Sequence, residues 1–323
     1  MARVLVTGAA GVLGSRLVAR LLERGHSVRG VVLPGDPLVE RLKDTGCEIW
    51  PADIRNPESL RGACAGIDCV YHLAAIIISH DPQLFTQINL QGTQAVLQEA
   101  DAASVKHFIY ISSASVTYPK LTAYAQSKLD AERAVAARSG GGFSIIRPTL
   151  VYDEHGGQEV LMFLDYLRRF PVVPFIGAGD ALKRPVWSED IVDGLLRLAD
   201  ATGPYGKTYN FSGGEAISMR DFAKLLLQHH RAQRPFVHLP VWLCRGIAKV
   251  LARVMDKPPL TSSAIAGVVN DANLDPSEAM RDLGYHPIGV REGFAHLFAQ
   301  PVIVTQAARP ADASSQQLGP QNL

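Results

Sequence analysis

Cysteine is scarce in this chain of 323 residues, and the four present, Cys47, Cys64, Cys69 and Cys244, form no CxxC pair and have no histidine cluster nearby. That spacing argues against a zinc site and against a disulfide framework, and points to reduced, mostly buried thiols. An excess of one charge is also missing, since 32 Lys plus Arg stand against 31 Asp plus Glu. A protein that neutralises many phosphates needs a basic surplus, so no nucleic acid is expected as partner. No apolar run is long enough to span a bilayer. The chain runs from Met1 straight into Val4-Leu5-Val6, without the basic, apolar and small-residue zones of a secretion signal. The expected location is therefore the cytoplasm. The histidines show no HxxxH or comparable ligand pattern, and His229-His230 suits a helix end, so no metal is expected.

What is present is apolar residue in quantity, 47% of the chain, enough for one large α/β unit or two joined lobes. Short β-branched or aliphatic runs at Val4-Val6, Val28-Leu33, Cys47-Trp50, Cys69-Leu73, Phe108-Ile111 and Phe143-Ile146 alternate with longer helical patterns. Strand, helix, strand repeated in this way predicts an α/β fold with a doubly wound parallel sheet covered by helices on both faces. The first helix carries Leu13, Leu17 and Leu21 on one side, with Arg16, Arg20 and Glu23 elsewhere, so it can pack on that sheet. From about Val151 the rhythm loosens. Ser188-Ala199 and Ile217-His230 still read as helices, but Pro171, Pro174, Pro235, Pro240, Pro258 and Pro259 interrupt the pattern. Residues 1–170 are thus expected to be mainly the sheet unit. Residues 171–300 are expected to be mainly a smaller interwoven lobe with segments returning to the sheet, and 301–323 a disordered tail.

Two local patterns carry chemistry. Thr7-Gly8-Ala9-Ala10-Gly11-Val12-Leu13-Gly14 lies between the first strand and its helix, where glycines allow a tight turn and close backbone approach to a pyrophosphate at the helix N-terminus. Tyr124 and Lys128 lie four residues apart on a helical segment and so share a face. An ammonium close to a phenol lowers its pKa from about 10 towards working pH, which makes Tyr124 a candidate general acid and base at a carbonyl or hydroxyl.

The TGxxGxxG form of the turn, with Tyr124-Ala125-Gln126-Ser127-Lys128, resembles the short-chain dehydrogenase/reductase superfamily in its extended branch. Further matches follow in the same order: Ala52-Asp53-Ile54, His72-Leu73-Ala74-Ala75, Asn89-Leu90-Gln91-Gly92-Thr93, Arg147-Pro148, the segment Arg184 to Asp190, Tyr209 to Gly214, and Leu283-Gly284-Tyr285. The resemblance implies a Rossmann sheet, NAD or NADP as cofactor, a small-molecule substrate chosen by the second lobe, and a homodimer through the helices holding Asn89 and Tyr124. It places the dinucleotide on Gly8, Ala10, Gly11, Val12, Leu13, Gly14, Leu33, Asp53, Ile54, Leu73, Ala74, Ala75, Asn89, Tyr124, Lys128 and Pro148. It gives Lys128 a hydrogen bond to the nicotinamide ribose and Asn89 support of a proton relay; the other reading of Asn89 is a helix-packing amide. Asp53 either meets the adenine or serves a turn before Pro57. Leu33 stands where an acid would favour NAD and an Arg NADP, while Asp36 either reaches a ribose or caps the next helix, and Arg29 lies inside the strand.

The leading expectation for the reaction is a sugar-nucleotide epimerase or dehydratase type of enzyme, on the Arg147-Pro148, Val151-Tyr152 and Arg184 to Asp190 segments. The alternative is a dehydrogenase or reductase of a sterol-like or other apolar alcohol, on Ser112 to Val116, Pro258 to Thr261 and the apolar helix around Leu239 to Met255. A non-catalytic dinucleotide-binding subunit is a third reading, against which the presence of both Tyr124 and Lys128 speaks. Ala114 falls where the sugar-epimerase pattern has a catalytic Ser or Thr. In an extended strand end Ser113 and Ser115 share a side, and Ser113 is the expected hydroxyl. Lastly, over 240–255 Arg245, Lys249 and Arg253 form a basic stripe opposite Leu243, Ile247, Val250 and Val254 with no acid between. Such a helix is either a solvated face or a peripheral contact with an anionic membrane or a lipid-linked or diphosphate substrate.

Overall fold

The computed structural model describes residues 1–153, 157–200, 206–255 and 258–299, so the tail expected over 301–323 lies outside the described residues. Strand β1 (Arg3–Thr7) has Val4, Leu5 and Val6 in the core, as a parallel strand covered on both faces requires. Helix α1 (Val12–Glu23) buries Leu17 and Leu21 fully and Leu13 partly. There follow β2 (Ser27–Val32), β3 (Glu48–Pro51), α2 (Pro57–Leu60) and β4 (Cys69–His72). Helix α3 (Pro82–Leu84) runs on through a π-wound stretch, Phe85–Gly92, into α4 (Thr93–Ala102). Then come β5 (His107–Ile111), α5 (Ala123–Ala136) and β6 (Gly142–Pro148).

The remaining elements weave between the sheet and a second lobe. They are β7 (Val151–Tyr152), α6 (Gln158–Arg169), β8 (Val173–Ile176), β9 (Leu182–Lys183), β10 (Val186–Trp187), α7 (Ser188–Asp200) and β11 (Lys207–Phe211). After these come β12 (Ile217–Ser218), α8 (Met219–His229), β13 (Phe236–Leu239), α9 (Val241–Val254), α10 (Ser262–Val269), α11 (Ser277–Leu283) and α12 (Val290–Ala299). Strand β11 returns to the main sheet, whose order is β11-β6-β5-β4-β1-β2-β3 with every pairing parallel. The order reverses between β1 and β4, which opens a crevice at their C-terminal ends. In the lobe, short ladders β7/β10, β8/β13 and β9/β12 pack with α6, α8 and α12 around Leu167, Phe175, Phe222, Leu226 and Phe294.

Polar contacts tie α1 to α7, whose Ile191, Val192 and Leu195 pack in the sheet's core. Arg16 of α1 pairs with Glu189 of α7 and with Asp153 at 3.1 Å, and Arg20 reaches Asp193 at 2.9 Å. Asp153 also accepts from the Ser188 hydroxyl. The free thiols of Cys64, Cys69 and Cys244 are buried, and Cys47 is half-buried.

Candidate active site

Gly8 adopts the left-handed region at φ 68°, and a Cβ there would come 2.9 Å from the Ala74 nitrogen. A Cβ on Gly14 would lie 2.1 Å from the Gly8 carbonyl oxygen, so this glycine lets α1 close onto the turn. Gly11 differs, because a Cβ there would meet only the Gly8 oxygen, at 3.2 Å. Gly11 caps α1 without a side-chain hydrogen bond, and the first turn of α1 carries no acid, so its N–H groups are left for an anion. This cradle fits a dinucleotide pyrophosphate, with Ala10, Val12 and Leu13 around it and Leu73, Ala74 and Ala75 beyond β4. The neighbouring strands β1 and β4 are tied to α4 by one directed chain. The Ala74 N–H donates to Thr7 Oγ1 at 3.2 Å, Thr7 meets His72 Nδ1 at 2.7 Å, His72 Nε2 meets Thr93 Oγ1 at 2.9 Å, and Thr93 donates to the Asn89 carbonyl. Because Thr93 spends its proton on Asn89, His72 carries its own on Nε2. Burial, and then Lys128, push this imidazole down to about 3.

Where the adenosine end would lie, Leu33 is half exposed beyond β2, and Asp36 caps the following turn by accepting from the Leu38 N–H at 2.9 Å. Arg29 points away, donating to the Ala63 carbonyl at 2.6 Å with its guanidinium 5.1 Å from the Trp50 ring centre. Asp53 is turned onto Arg55 at 2.6 Å, which holds its carboxyl below the usual range. Ile54 packs on Gly92, where a Cβ would meet it at 2.7 Å. A residue that sequence reasoning missed is Arg41, which donates to the Ala10 carbonyl at 3.2 Å and so sets a guanidinium at the glycine turn.

At the other half of the crevice, Thr122 caps α5 and starts the helix that carries Tyr124 and Lys128. Lys128 is buried, donating from Nζ to the Ile111 carbonyl at 2.6 Å and lying 4.3 Å from the Tyr110 ring centre. Burial pulls its ammonium down to about 7, against Glu132, which Arg147 grips with two bonds at 2.9 and 2.6 Å. Tyr124 sits against Phe85, ring centres 5.9 Å apart, with the Ser113 hydroxyl near its phenol. Its pKa is pushed up, first by burial and then by Glu159, with the Ser113 hydroxyl working the other way. This corrects the expected sign: Lys128 aims its charge at Ile111 and Tyr110, and burial favours the neutral phenol. After Ser113 the chain also leaves the extended form, since Ala114–Thr117 is a 3₁₀ turn capped by Ser113. Ser113 and Ser115 still share a side, their hydroxyls 3.0 Å apart, and Ala114 is buried.

Asn89 is buried in the π-wound stretch, which places its amide where both neighbours can use it. It accepts from the Ile76 N–H at 2.9 Å and donates to the Ile76 carbonyl at 3.0 Å and to Ser127 Oγ at 3.1 Å, while Ser127 donates to the Tyr124 carbonyl. Pro148 closes β6 in a buried position. The lobe contributes Glu159, whose solvent-facing carboxyl is raised by surrounding protein and lowered by Lys183. Lys183 is buried, donates to the Asn270 carbonyl and lies 5.8 Å from the Tyr118 ring centre. No local signal marks Glu159 or Lys183, because only the packing of α6 and of the β9 ladder brings them to the crevice. The Arg184 to Asp190 segment does structural duty: Arg184 donates to Asn273 at 2.7 Å, and Asp190 accepts from the Ile288 N–H at 3.0 Å.

Residues 4–212 match the model of the NAD dependent epimerase/dehydratase family. Among characterised relatives is the 3 beta-hydroxysteroid dehydrogenase/Delta 5→4-isomerase of Mycobacterium tuberculosis, 28% identical over 330 residues, covering 89% of this chain and 87% of the relative. The 4-hydroxy-2-methyl-3-oxo-4-farnesyl-3,4-dihydroquinoline-1-oxide ketoreductase of Stigmatella aurantiaca is 26% identical over 310 residues, covering 88% and 91%. The fold is shared with the crystal structure of dTDP-glucose 4,6-dehydratase from Streptomyces venezuelae, at a TM-score of 0.73 and 22% identity, covering 92% of this chain and 96% of that one.

Proposed function

The chain belongs to the NAD dependent epimerase/dehydratase family, and from that premise we propose that Tyr124, Ser113 and Lys128 move the proton that accompanies hydride transfer at a secondary alcohol or ketone carbon. The observation that carries this reading is the placement of the Ser113 hydroxyl beside the Tyr124 phenol, with Lys128 one turn further along the same helix. The dinucleotide held at the glycine turn supplies or accepts the hydride when bound. In reduction Tyr124 gives its proton to the carbonyl oxygen, and in oxidation it takes one from the alcohol. Ser113 orients that oxygen. Asn89, through Ser127, fixes the first turn of α5 and hence the phenol.

For the substrate, we favour an apolar ketone or alcohol. The lobe cations nearest in sequence to the crevice strand are engaged within the protein, Lys183 with the Asn270 carbonyl and Arg184 with Asn273. Phe85 and Tyr118 lie beside Tyr124. The two relatives named above act, by their names, on a steroid and on a farnesylated quinoline. A nucleotide-sugar, the expectation drawn from the Arg147-Pro148, Val151-Tyr152 and Arg184 to Asp190 segments, is the second reading. The deciding experiment incubates the purified chain with reduced nicotinamide cofactor and a 3-keto steroid or a long-chain ketone, and separately with oxidised nicotinamide cofactor and UDP- or dTDP-glucose, following cofactor absorbance and product mass. Net oxidation with an apolar ketone is expected. Conversion of a nucleotide-sugar with no net redox change would overturn the substrate class, and cofactor binding without turnover of any of them would favour a non-catalytic subunit.

A further inference from the structure

The helix α9 leaves one half of its circumference uncovered. Its inner stripe, Cys244 and Ala248, packs on Ile265 of α10 together with Val241 and Leu239. On the outer half, Leu243, Ile247, Val250 and Val254, spaced as neighbours along one helix face, are 36, 41, 59 and 71% exposed, and Trp242 is 74% exposed. Trp242, Leu243, Gly246, Ile247, Val250 and Leu251 line one shallow apolar groove. Flanking this stripe, and not opposite it as the sequence suggested, runs a second one, Arg245, Lys249 and Arg253, all exposed. From Phe222 to Met255 the sequence contains no acidic residue, while Lys224, Arg231 and Arg234 add to the positive side. No described helix is long and apolar enough to cross a membrane.

We propose that α9 is a docking element for an anionic lipid surface, lying in the interface with Trp242, Leu243, Val250 and Val254 in the acyl boundary and Arg245, Lys249 and Arg253 on the headgroups. Charge complementarity selects this occupant, because an apolar stripe alone would suit a second copy of the chain, whereas an adjoining row of cations with no acid would repel its own image across such an interface. The inference stands apart from the hydride-transfer reading. It does, however, connect with the crevice. Helix α10, on which α9 rests, ends next to Asn270, and the Asn270 carbonyl receives Lys183 above Tyr118. A bilayer bound at the outer face of α9 therefore lies one helix away from Lys183.

The test is co-sedimentation of the full chain with vesicles of phosphatidylcholine alone and of phosphatidylcholine mixed with phosphatidylglycerol. Binding to the mixed vesicles only is expected, weakening as salt rises, with a blue shift of tryptophan emission that is lost in Trp242→Phe. Near an anionic surface each cation contributes about fivefold, so the triple variant Arg245→Gln, Lys249→Gln, Arg253→Gln should bind about 100-fold more weakly. Thermal melting confirms that these exposed substitutions leave the fold intact. Equal binding to both vesicle types, or undiminished binding by the triple variant, would overturn the proposal. So would absence of binding, and if that accompanied a concentration-dependent dimer dispersed by Val250→Glu, the face would belong to self-association instead.

Discussion

Replacing Lys128 by Met tests the buried charge beneath the candidate site without depending on any substrate. The side chain is 2% exposed, and burial brings its ammonium from 10.5 to about 7. Below about pH 7 the folded state holds a charged, desolvated Lys128 and carries the whole penalty. Between about 7 and about 10.5 the unfolded chain keeps a proton that the folded chain has released, so stability rises with pH across that window. Above about 10.5 both states are neutral and the penalty is gone. At about 1.4 kcal/mol per pH unit the full effect is at most about 5 kcal/mol, of which about 4 kcal/mol is recovered between about pH 6 and about pH 10. The Met variant also loses the bond to the Ile111 carbonyl and the contact with Tyr110, and the part of that loss that depends on charge is already contained in the shifted pKa. Urea unfolding of both proteins at about pH 6, 8 and 10 isolates the titrating part, since every shared group cancels in the difference. Wild type should gain about 4 kcal/mol on the variant as pH rises. A flat or falling difference would refute the argument that burial governs Lys128.

The two inner glycines should separate folding from binding. Gly14→Ala, whose Cβ would strike the Gly8 oxygen at 2.1 Å, should lower the melting temperature, whereas Gly11→Leu, with room outside the turn, should fold normally and lose dinucleotide affinity by calorimetry. Tyr124→Phe should keep cofactor affinity and lose most turnover. Ser113→Ala should cost on the order of 10²-fold in single-turnover hydride transfer, and Ser115→Ala far less; the reverse ranking would move the role to Ser115. With Leu33 in the reading position, discrimination between NAD and NADP should be modest, and a ratio well above about a thousandfold would contradict it. Arg41→Ala should weaken NADP roughly tenfold more than NAD, measured by the same calorimetry.

Most of the sheet was legible because parallel strands buried on both faces must be nearly continuous apolar runs. Val4-Val6 and Phe108-Ile111 fall inside β1 and β5 as expected. The glycine turn was legible for a similar reason, since backbone approach leaves no side chain to choose. What stayed hidden depends on distance. The spacing of Tyr124 and Lys128 showed that they share a face, but not that Lys128 would turn to Ile111 while Glu159 raised the phenol. Asp36 had two uses by sequence, and only the position of the Leu38 N–H chose the cap. The π-winding around Asn89 has no periodic signature in eight residues; it shows only in the contacts that Asn89 makes on two sides.

The late return of β11 has a consequence for synthesis. Strand β6 ends at Pro148, but its outer partner begins only at Lys207, after the first part of the lobe has been made. At about 5–20 residues per second a ribosome needs several seconds to cover that interval. Throughout it, Phe143-Ser144-Ile145-Ile146 presents an unpaired, apolar sheet edge, the kind of template on which nascent chains pair with one another. The sheet therefore cannot be completed by the first half of the chain alone, and a fragment ending near residue 170 would expose that edge permanently. Aggregation of such a fragment would follow from the topology, whatever the quality of the core behind it.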